Sequence, residues 1–275
     1  MNFTAAVIQM NSGADVGANL QAAGRLLGEA AKAGAKLAVL SENFAFMGAR
    51  ETDKLAQREK FGKGPIQDFL AGAAKKNSLW IVGGTIPIEV AGRQDKVYAA
   101  DLVHDPQGGC AAHYDKIHLF DVDVLRDGRT DSYRESSSIE YGAQKAVALK
   151  TPLGVLGLSV CYDLRFPELY RALAAQGAEI LCVPSAFTAK TGEAHWETLL
   201  RARAIENQCY VLAPDQGGAH PGGRRTWGHS MIVDPWGSVI AQQAAGEGVV
   251  LAELDLDKLA TIRRNMPCLT HRRIS

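Results

Sequence analysis

Long apolar runs are missing from this chain of 275 residues: no stretch reaches the roughly eighteen uninterrupted apolar residues that a membrane-crossing helix needs. Met1 to Met10 (MNFTAAVIQM) also lacks the basic start and extended apolar core of a secretory leader, so a cytoplasmic location is expected. An excess of charge is missing too. Thirty Lys and Arg balance thirty Asp and Glu, which leaves no electrostatic footprint for nucleic acid and no polybasic membrane anchor. Five cysteines, at 110, 161, 182, 209 and 268, are an odd number with no C-x-x-C pair, which argues against a disulfide scaffold. Seven histidines show no metal-ligand spacing, and neither G-x-G-x-x-G nor a P-loop occurs. No metal and no cofactor is expected; the expected partner is a small molecule.

What is present is organised around Val155 to Gly177. The apolar run Val155 to Val160 has the length and composition of a buried strand and gives way at Cys161 to polar Asp163 and Arg165. Pro167 suits the first turn of a helix, Glu168 to Gln176 continues it, and Gly177 supplies the stop. Strand, tight turn and helix thus follow one another with a cysteine in the turn. Such a turn exposes a thiol while neighbouring N–H groups face the charge that forms when it attacks a carbonyl. The plainer alternative is a buried cysteine serving as a small hydrophobe.

Along the chain, strands are expected at Thr4 to Gln9, Lys36 to Leu40, Leu79 to Ile86, Glu179 to Pro184 and Tyr210 to Pro214. Helices are expected at Asn19 to Ala33, Ile66 to Lys76, Ala194 to Gln208 and Asp255 to Asn265. VHDPQGG at 103 to 109 and IVDPWGS at 232 to 238 read as turns of two hairpins that follow two similar sets of βαβ units. This weak duplication predicts two mixed sheets packed face to face with helices outside, a four-layer α-β-β-α sandwich, in one domain spanning 1–275. Leu119 to Gly142 is read as an irregular active-site rim containing Glu135, Gly48 to Gly64 as an exposed loop or short helix, and Gln216 to Arg225 as a Gly-rich loop.

Glu42 and Lys116, like Cys161, come directly after predicted strands, so a fold that aligns those strands gathers the three at one edge. A carboxylate can then deprotonate the thiol, the thiolate can attack an acyl carbon, and an ammonium can hold the oxyanion. Read singly, Glu42 could be a solvated carboxylate and Lys116 a surface lysine. Arg165 could hold a substrate carboxylate through two parallel hydrogen bonds, or pair with Asp163 or Glu168 as a structural ion pair.

LAVLSEN at 37 to 43, YDKIHLFD at 114 to 121 and SVCYDLRFPEL at 159 to 169 resemble, in order, the glutamate, lysine and cysteine motifs of the carbon-nitrogen hydrolase family, the nitrilase superfamily. The resemblance covers nearly the whole chain. It implies Glu42 as general base, Lys116 as catalytic lysine, Cys161 as nucleophile, the Tyr162 N–H at the oxyanion, and Glu135 as a second active-site glutamate. The implied reaction hydrolyses a small carboxylated amide to acid and ammonia through a cysteine thioester. Residues 184 to 211 and 228 to 237 look most like the amidases acting on deaminated glutathione; ω-amidases acting on α-ketoglutaramate or α-ketosuccinamate, or a non-catalytic binding module, are the alternatives. By resemblance a homodimer or higher homo-oligomer is expected.

Overall fold

The computed structural model describes residues 1–126 and 129–274. Its first half runs β1 (Asn2–Gln9), α1 (Val16–Lys32), β2 (Ala35–Leu40), α2 (Pro65–Asn77), β3 (Trp80–Val82), β4 (Ile86–Val90), β5 (Arg93–His104) and β6 (Cys110–Asp115), followed by a ribbon of β7 (Asp121–Arg126) and β8 (Arg129–Arg134). The second half runs β9 (Ala148–Thr151), β10 (Gly154–Leu158), α3 (Pro167–Ala175), β11 (Ile180–Cys182), α4 (Ala189–Asn207), β12 (Tyr210–Ala213), β13 (Gly217–Ala219), β14 (Arg225–Trp227), β15 (Ser230–Val233), β16 (Val239–Gln243), β17 (Gly248–Asp255) and α5 (Leu256–Asn265).

The predicted duplication is visible in the pairing. One sheet has the order β17-β1-β2-β3-β5-β4, with β6 also on β5, and the other has the order β9-β10-β11-β12-β15-β16. In each, an antiparallel edge strand meets three parallel strands, β1, β2 and β3 or β10, β11 and β12, which are followed by antiparallel partners. The two hairpin turns also use the same chemistry. Asp105 Oδ1 accepts from the N–H groups of Gln107 and Gly109, and Asp234 Oδ1 from those of Trp236 and Ser238.

Alternation along the strands makes the layers. Ala5 and Val7 of β1 and Leu37 and Val39 of β2 point into the core shared with Leu156, Leu158, Ile180 and Leu212 of the other sheet. Ala6, Ile8, Ala38 and Leu40 point the other way, onto Leu26, Leu27 and Ala30 of α1 and Leu70 and Ala74 of α2. Trp196 and Leu200 of α4, with Tyr170 and Leu173 of α3, cover the second sheet. The result is the α-β-β-α sandwich.

Several elements differ from the sequence expectation. Leu79 to Ile86 is two strands, because the chain breaks at Gly83 and Gly84. Gly84 has φ +65°, and a Cβ there would stand 2.1 Å from the Ser41 carbonyl oxygen. Leu119 to Gly142 contains the β7–β8 ribbon, consistent with the period-two alternation of Asp121, Val122, Asp123 and Val124. The Gly-rich loop contains the short β13–β14 pair. Helix α4 begins five residues early, since Gly192 lets it lie against Trp227, where a Cβ would approach the Trp227 Cβ to 2.3 Å. No described helix is long and apolar enough to cross a membrane.

Candidate active site

Cys161 leaves β10 with φ +48°, a left-handed conformation that a side chain other than glycine rarely adopts. The turn is held from both sides. Its own N–H donates to the Pro184 carbonyl at 2.8 Å, and the preceding Val160 N–H donates to Asp163 Oδ2 at 2.8 Å. Asp163 is fully buried and also accepts from Tyr114 Oη at 2.6 Å and from the His118 N–H at 3.1 Å, with His118 Nδ1 at 2.7 Å. Tyr114 and His118 flank Lys116, so one carboxylate ties the cysteine turn to the lysine strand. The backbone strain is thereby over-determined, which is how such turns persist at reactive residues. The Tyr162 N–H follows the thiol directly in the 3₁₀ segment Cys161–Arg165.

Glu42 follows β2, and its carbonyl accepts from Gln216 Nε2 at 3.1 Å, which brings the second half of the chain against it. Lys116 follows β6, with its N–H on the Ala99 carbonyl. Glu135 opens the short 3₁₀ turn Glu135–Ser137 after β8. These three side chains meet in the interior: Lys116 Nζ donates to Glu42 Oε1 at 2.8 Å and to both oxygens of Glu135 at 2.9 Å. Glu135 Oε2 also accepts from the Phe120 N–H at 2.7 Å, which explains why Glu135 closes the rim segment onto the lysine.

The electrostatics follow from this geometry. Burial by itself would raise the Glu42 pKa, but the Lys116 ammonium outweighs it and holds the carboxyl below its usual range. Burial likewise opposes charge on Lys116, and the two carboxylates outweigh it, so the ammonium persists well above the usual range. Burial, then the Glu42 charge, push the Cys161 thiol up. At rest the site therefore holds an ionised base beside a neutral thiol. Such a pair can pass a proton as a carbon–sulfur bond forms, and an ammonium and an N–H beside it are groups that can hold an oxyanion.

Cys161, Glu42, Lys116, Glu135, Tyr162 and Arg165 all line one cavity, so every residue the sequence singled out reaches it. Arg165 forms no ion pair with Asp163 or Glu168; its guanidinium lies 5.8 Å from the Tyr162 ring and 5.4 Å from the Phe187 ring, with Nη1 3.3 Å from His195 Nδ1. The cavity also receives Glu51, Lys54 and Arg224, which sequence reasoning passed over. The only local signal was the Glu51 and Lys54 pair at i,i+3, which bond at 3.0 Å in the 3₁₀ segment Glu51–Gln57. The space beside the thiol is about 20 Å³, room for a water or two. Asn43, Glu51, Lys54, Thr188 and Arg224 also line a neighbouring vestibule of about 610 Å³. No group of three or more His, Cys, Asp or Glu among the described residues is arranged to hold a metal ion.

The sequence model of the carbon-nitrogen hydrolase family matches residues 4–264. The chain belongs to this family. It is 46% identical over 271 residues to a deaminated glutathione amidase of Synechocystis sp., covering 98% of each chain. Its fold is similar to that of the NitFhit protein of C. elegans, with a TM-score of 0.90 and 39% identity over 99% of this chain; it spans 65% of that longer protein. It also resembles Saccharomyces cerevisiae Nit3, a member of branch 10 of the nitrilase superfamily, with a TM-score of 0.86 and 32% identity, covering 99% of this chain and 97% of Nit3. The chain is accordingly a hydrolase of carbon–nitrogen bonds other than peptide bonds, an amidase.

Proposed function

We propose that this amidase cleaves a small carboxylated amide through a thioester on Cys161, and that deaminated glutathione is its substrate. The observation that carries the reading is the convergence of three strand ends on one cavity, with Lys116 bonded to Glu42 at 2.8 Å and to Glu135 at 2.9 Å beside the Cys161 thiol. Cys161 Sγ attacks the amide carbon as Glu42 takes the thiol proton, and the oxyanion is held by Lys116 Nζ and the Tyr162 N–H. Glu42 passes that proton to the nitrogen, the C–N bond breaks, and a thioester is left. Water then adds to the thioester carbon while Glu42 takes its proton, and Sγ departs and is reprotonated, leaving the free acid. Glu135 keeps Lys116 in place and charged, Tyr162 contacts the substrate, and Arg165, held against the Tyr162 and Phe187 rings, lines the cavity wall.

A primary ω-amide releases ammonia in the first half-reaction. Deaminated glutathione is a 2-oxo acid joined by a secondary amide to cysteinylglycine, so from it the leaving group is a peptide amine. The wide vestibule, with Phe46, Met47, Lys190 and Arg225 on its walls, favours the longer substrate, because a compact ω-amide would leave it empty. The amidase of Synechocystis sp. carries the same substrate in its name. Five unbonded thiols fit a reducing compartment, so we place the enzyme in the cytoplasm, as a homodimer or higher homo-oligomer.

The direct test is side-by-side turnover of deaminated glutathione and α-ketoglutaramate. A higher kcat/KM for deaminated glutathione is expected. A preference for α-ketoglutaramate would make the chain an ω-amidase, and saturable binding of both without turnover would make it a binding module.

A further inference from the structure

The charges lining the cavity do not cancel. Lys116 neutralises one of its two glutamates, Glu51 is shared between Lys54 and Arg224, and Arg165 has no carboxylate partner among the described residues. With the thiol and the phenol neutral and every carboxyl, ammonium and guanidinium ionised, one positive charge is left over. Glu51 stays ionised throughout the working range, since Lys54, ahead of the opposing effect of burial, pulls its pKa down to about 2. The surplus thus fits one bound carboxylate, and two arginines compete for it.

Arg224 is the one of the two that holds a buried donor without an acceptor among the described residues. Nη2 donates to the Ala186 carbonyl at 3.0 Å, but Nη1 stands 3.4 Å from Glu51 Oε1, longer than the about 2.7–2.9 Å of a charge-assisted hydrogen bond. Nε is buried with no partner among the described residues, although the side chain as a whole is only 23% exposed. A guanidinium held out of water with an unused donor costs free energy until an acceptor arrives. Both guanidiniums lie near aromatic rings, Arg224 5.6 Å from the Tyr133 ring and Arg165 near the Tyr162 and Phe187 rings beside His195; what sets Arg224 apart is its buried Nε, unpartnered among the described residues.

The segment that carries Arg224 is fastened in place. His220 Nδ1 meets the Ser12 carbonyl at 2.9 Å and Nε2 meets Thr226 Oγ1 at 2.7 Å, bracketing the turn Pro221–Gly223. Gly222, at φ +75°, lies so close to the segment leading to Glu51 that a Cβ would stand 2.4 Å from the Ala49 carbonyl oxygen. Two loops of different halves are thus pressed together, one bringing Glu51 and Lys54 and the other Arg224. A donor fixed before the ligand arrives loses little freedom on binding.

We propose that Arg224 receives the carboxylate of the acyl half of the substrate, with Glu51 and Lys54 holding the guanidinium in position, and that Arg165 is not the carboxylate anchor. The ligand class is the monoamide of a dicarboxylic or 2-oxo-dicarboxylic acid, with the free carboxylate on Arg224 and the amide carbon at Cys161. This assignment rests on the proposed reading of the site as an amidase for carboxylated amides.

The test uses the full chain and the ratio of kcat/KM for glutaramate to that for its methyl ester, in wild type, Arg224→Gln, Arg224→Lys and Arg165→Gln. Losing a hydrogen-bonded charge pair predicts a fall in the ratio of about 10- to 150-fold in Arg224→Gln, a smaller fall in Arg224→Lys, and a shift under about fivefold in Arg165→Gln. Equal losses on acid and ester, or a larger fall in Arg165→Gln, overturn the assignment. If Arg224→Gln does not fold, Arg224→Lys carries the same comparison. A second measurement needs no turnover: protection of Cys161 from iodoacetamide by glutarate. Protection in wild type and Arg165→Gln that is lost in Arg224→Gln supports the assignment even if neither amide is hydrolysed, in which case the amidase reading fails alone. Hydrolysis of glutaramate with ratio and protection indifferent to Arg224 leaves the amidase reading intact and removes the anchor.

Discussion

Strands β1 and β10 occupy the same slot in the two sheets, each between an antiparallel edge strand and a parallel neighbour, yet they end differently. After β1 the chain stays extended: Met10 forms a bridge with Gln216, accepts the Gly217 N–H, and is buried with the helix-side core. After β10 the chain turns into the left-handed region at Cys161. The next parallel strands diverge as well, since β2 delivers Glu42 while β11 delivers neutral Val183, Pro184 and Ser185. One scaffold used twice thus makes half a site each time, with Glu42 and Lys116 from the first sheet and the Cys161 thiol from the second. The chemistry resides in what stands at the strand ends, not in the sandwich itself.

If that division holds, its first-half members can be broken separately from the thiol. Glu42→Gln should lower kcat by about two orders of magnitude or more while the fold persists, because Lys116 keeps Glu135 as its partner. Activity within about threefold of wild type in a continuous assay would remove Glu42 from the base role. Lys116→Met should be worse for the fold, since it strands two carboxylates that are 2% and 8% exposed. Breaking a buried pair this way costs about 3–5 kcal/mol, measurable by urea unfolding at pH 7. The loss should shrink as pH falls, because unpaired buried carboxyls take up protons more readily than unfolded ones; a loss independent of pH would show that the charges are solvated.

A smaller effect sharpens the comparison away from the site. Asp101 on β5 lies between the sheets, fully buried, with neither oxygen in a hydrogen bond of normal geometry among the described residues. Burial pushes its carboxyl well above the usual 3.8, and the nearby Gly83 N–H offsets only part of this. The folded state therefore binds a proton that the unfolded state releases, so Asp101 makes stability fall as pH rises above about 4. The Tm of Asp101→Asn minus that of wild type should become more positive between pH 4 and pH 8. A constant difference would show that Asp101 has the same pKa folded and unfolded.

The parts of this account readable in the sequence are those where local rules suffice. The six-residue apolar run before Cys161, Pro167 at the first turn of α3 and Gly177 at φ +88° after it specify strand, turn and helix without tertiary information. The apolar run ahead of Glu42 does the same for β2. Composition places Glu135 only within an active-site rim, and its role as a second glutamate comes through resemblance, because its position depends on the ribbon folding back to Lys116. Of the cluster of Glu51, Lys54 and Arg224, only the i,i+3 spacing of the first two was a signal, and nothing pointed to Arg224. The cluster joins residues about 170 positions apart through a 3₁₀ segment and a Gly-rich turn, neither of which carries a period. Strand β17 was missed for a related reason: Gly248 to Asp255 has no strict alternation, and it becomes a strand by pairing with β1 across the length of the chain.

Covalent catalysis by Cys161 can be observed by rapid mixing with substrate followed by intact-mass analysis and peptide mapping. Wild type should show an acyl adduct on Cys161 that decays at the rate of turnover, and a folded Cys161→Ala should show neither adduct nor turnover. An adduct on Cys182 or Cys209, or sustained turnover by Cys161→Ala, would contradict it.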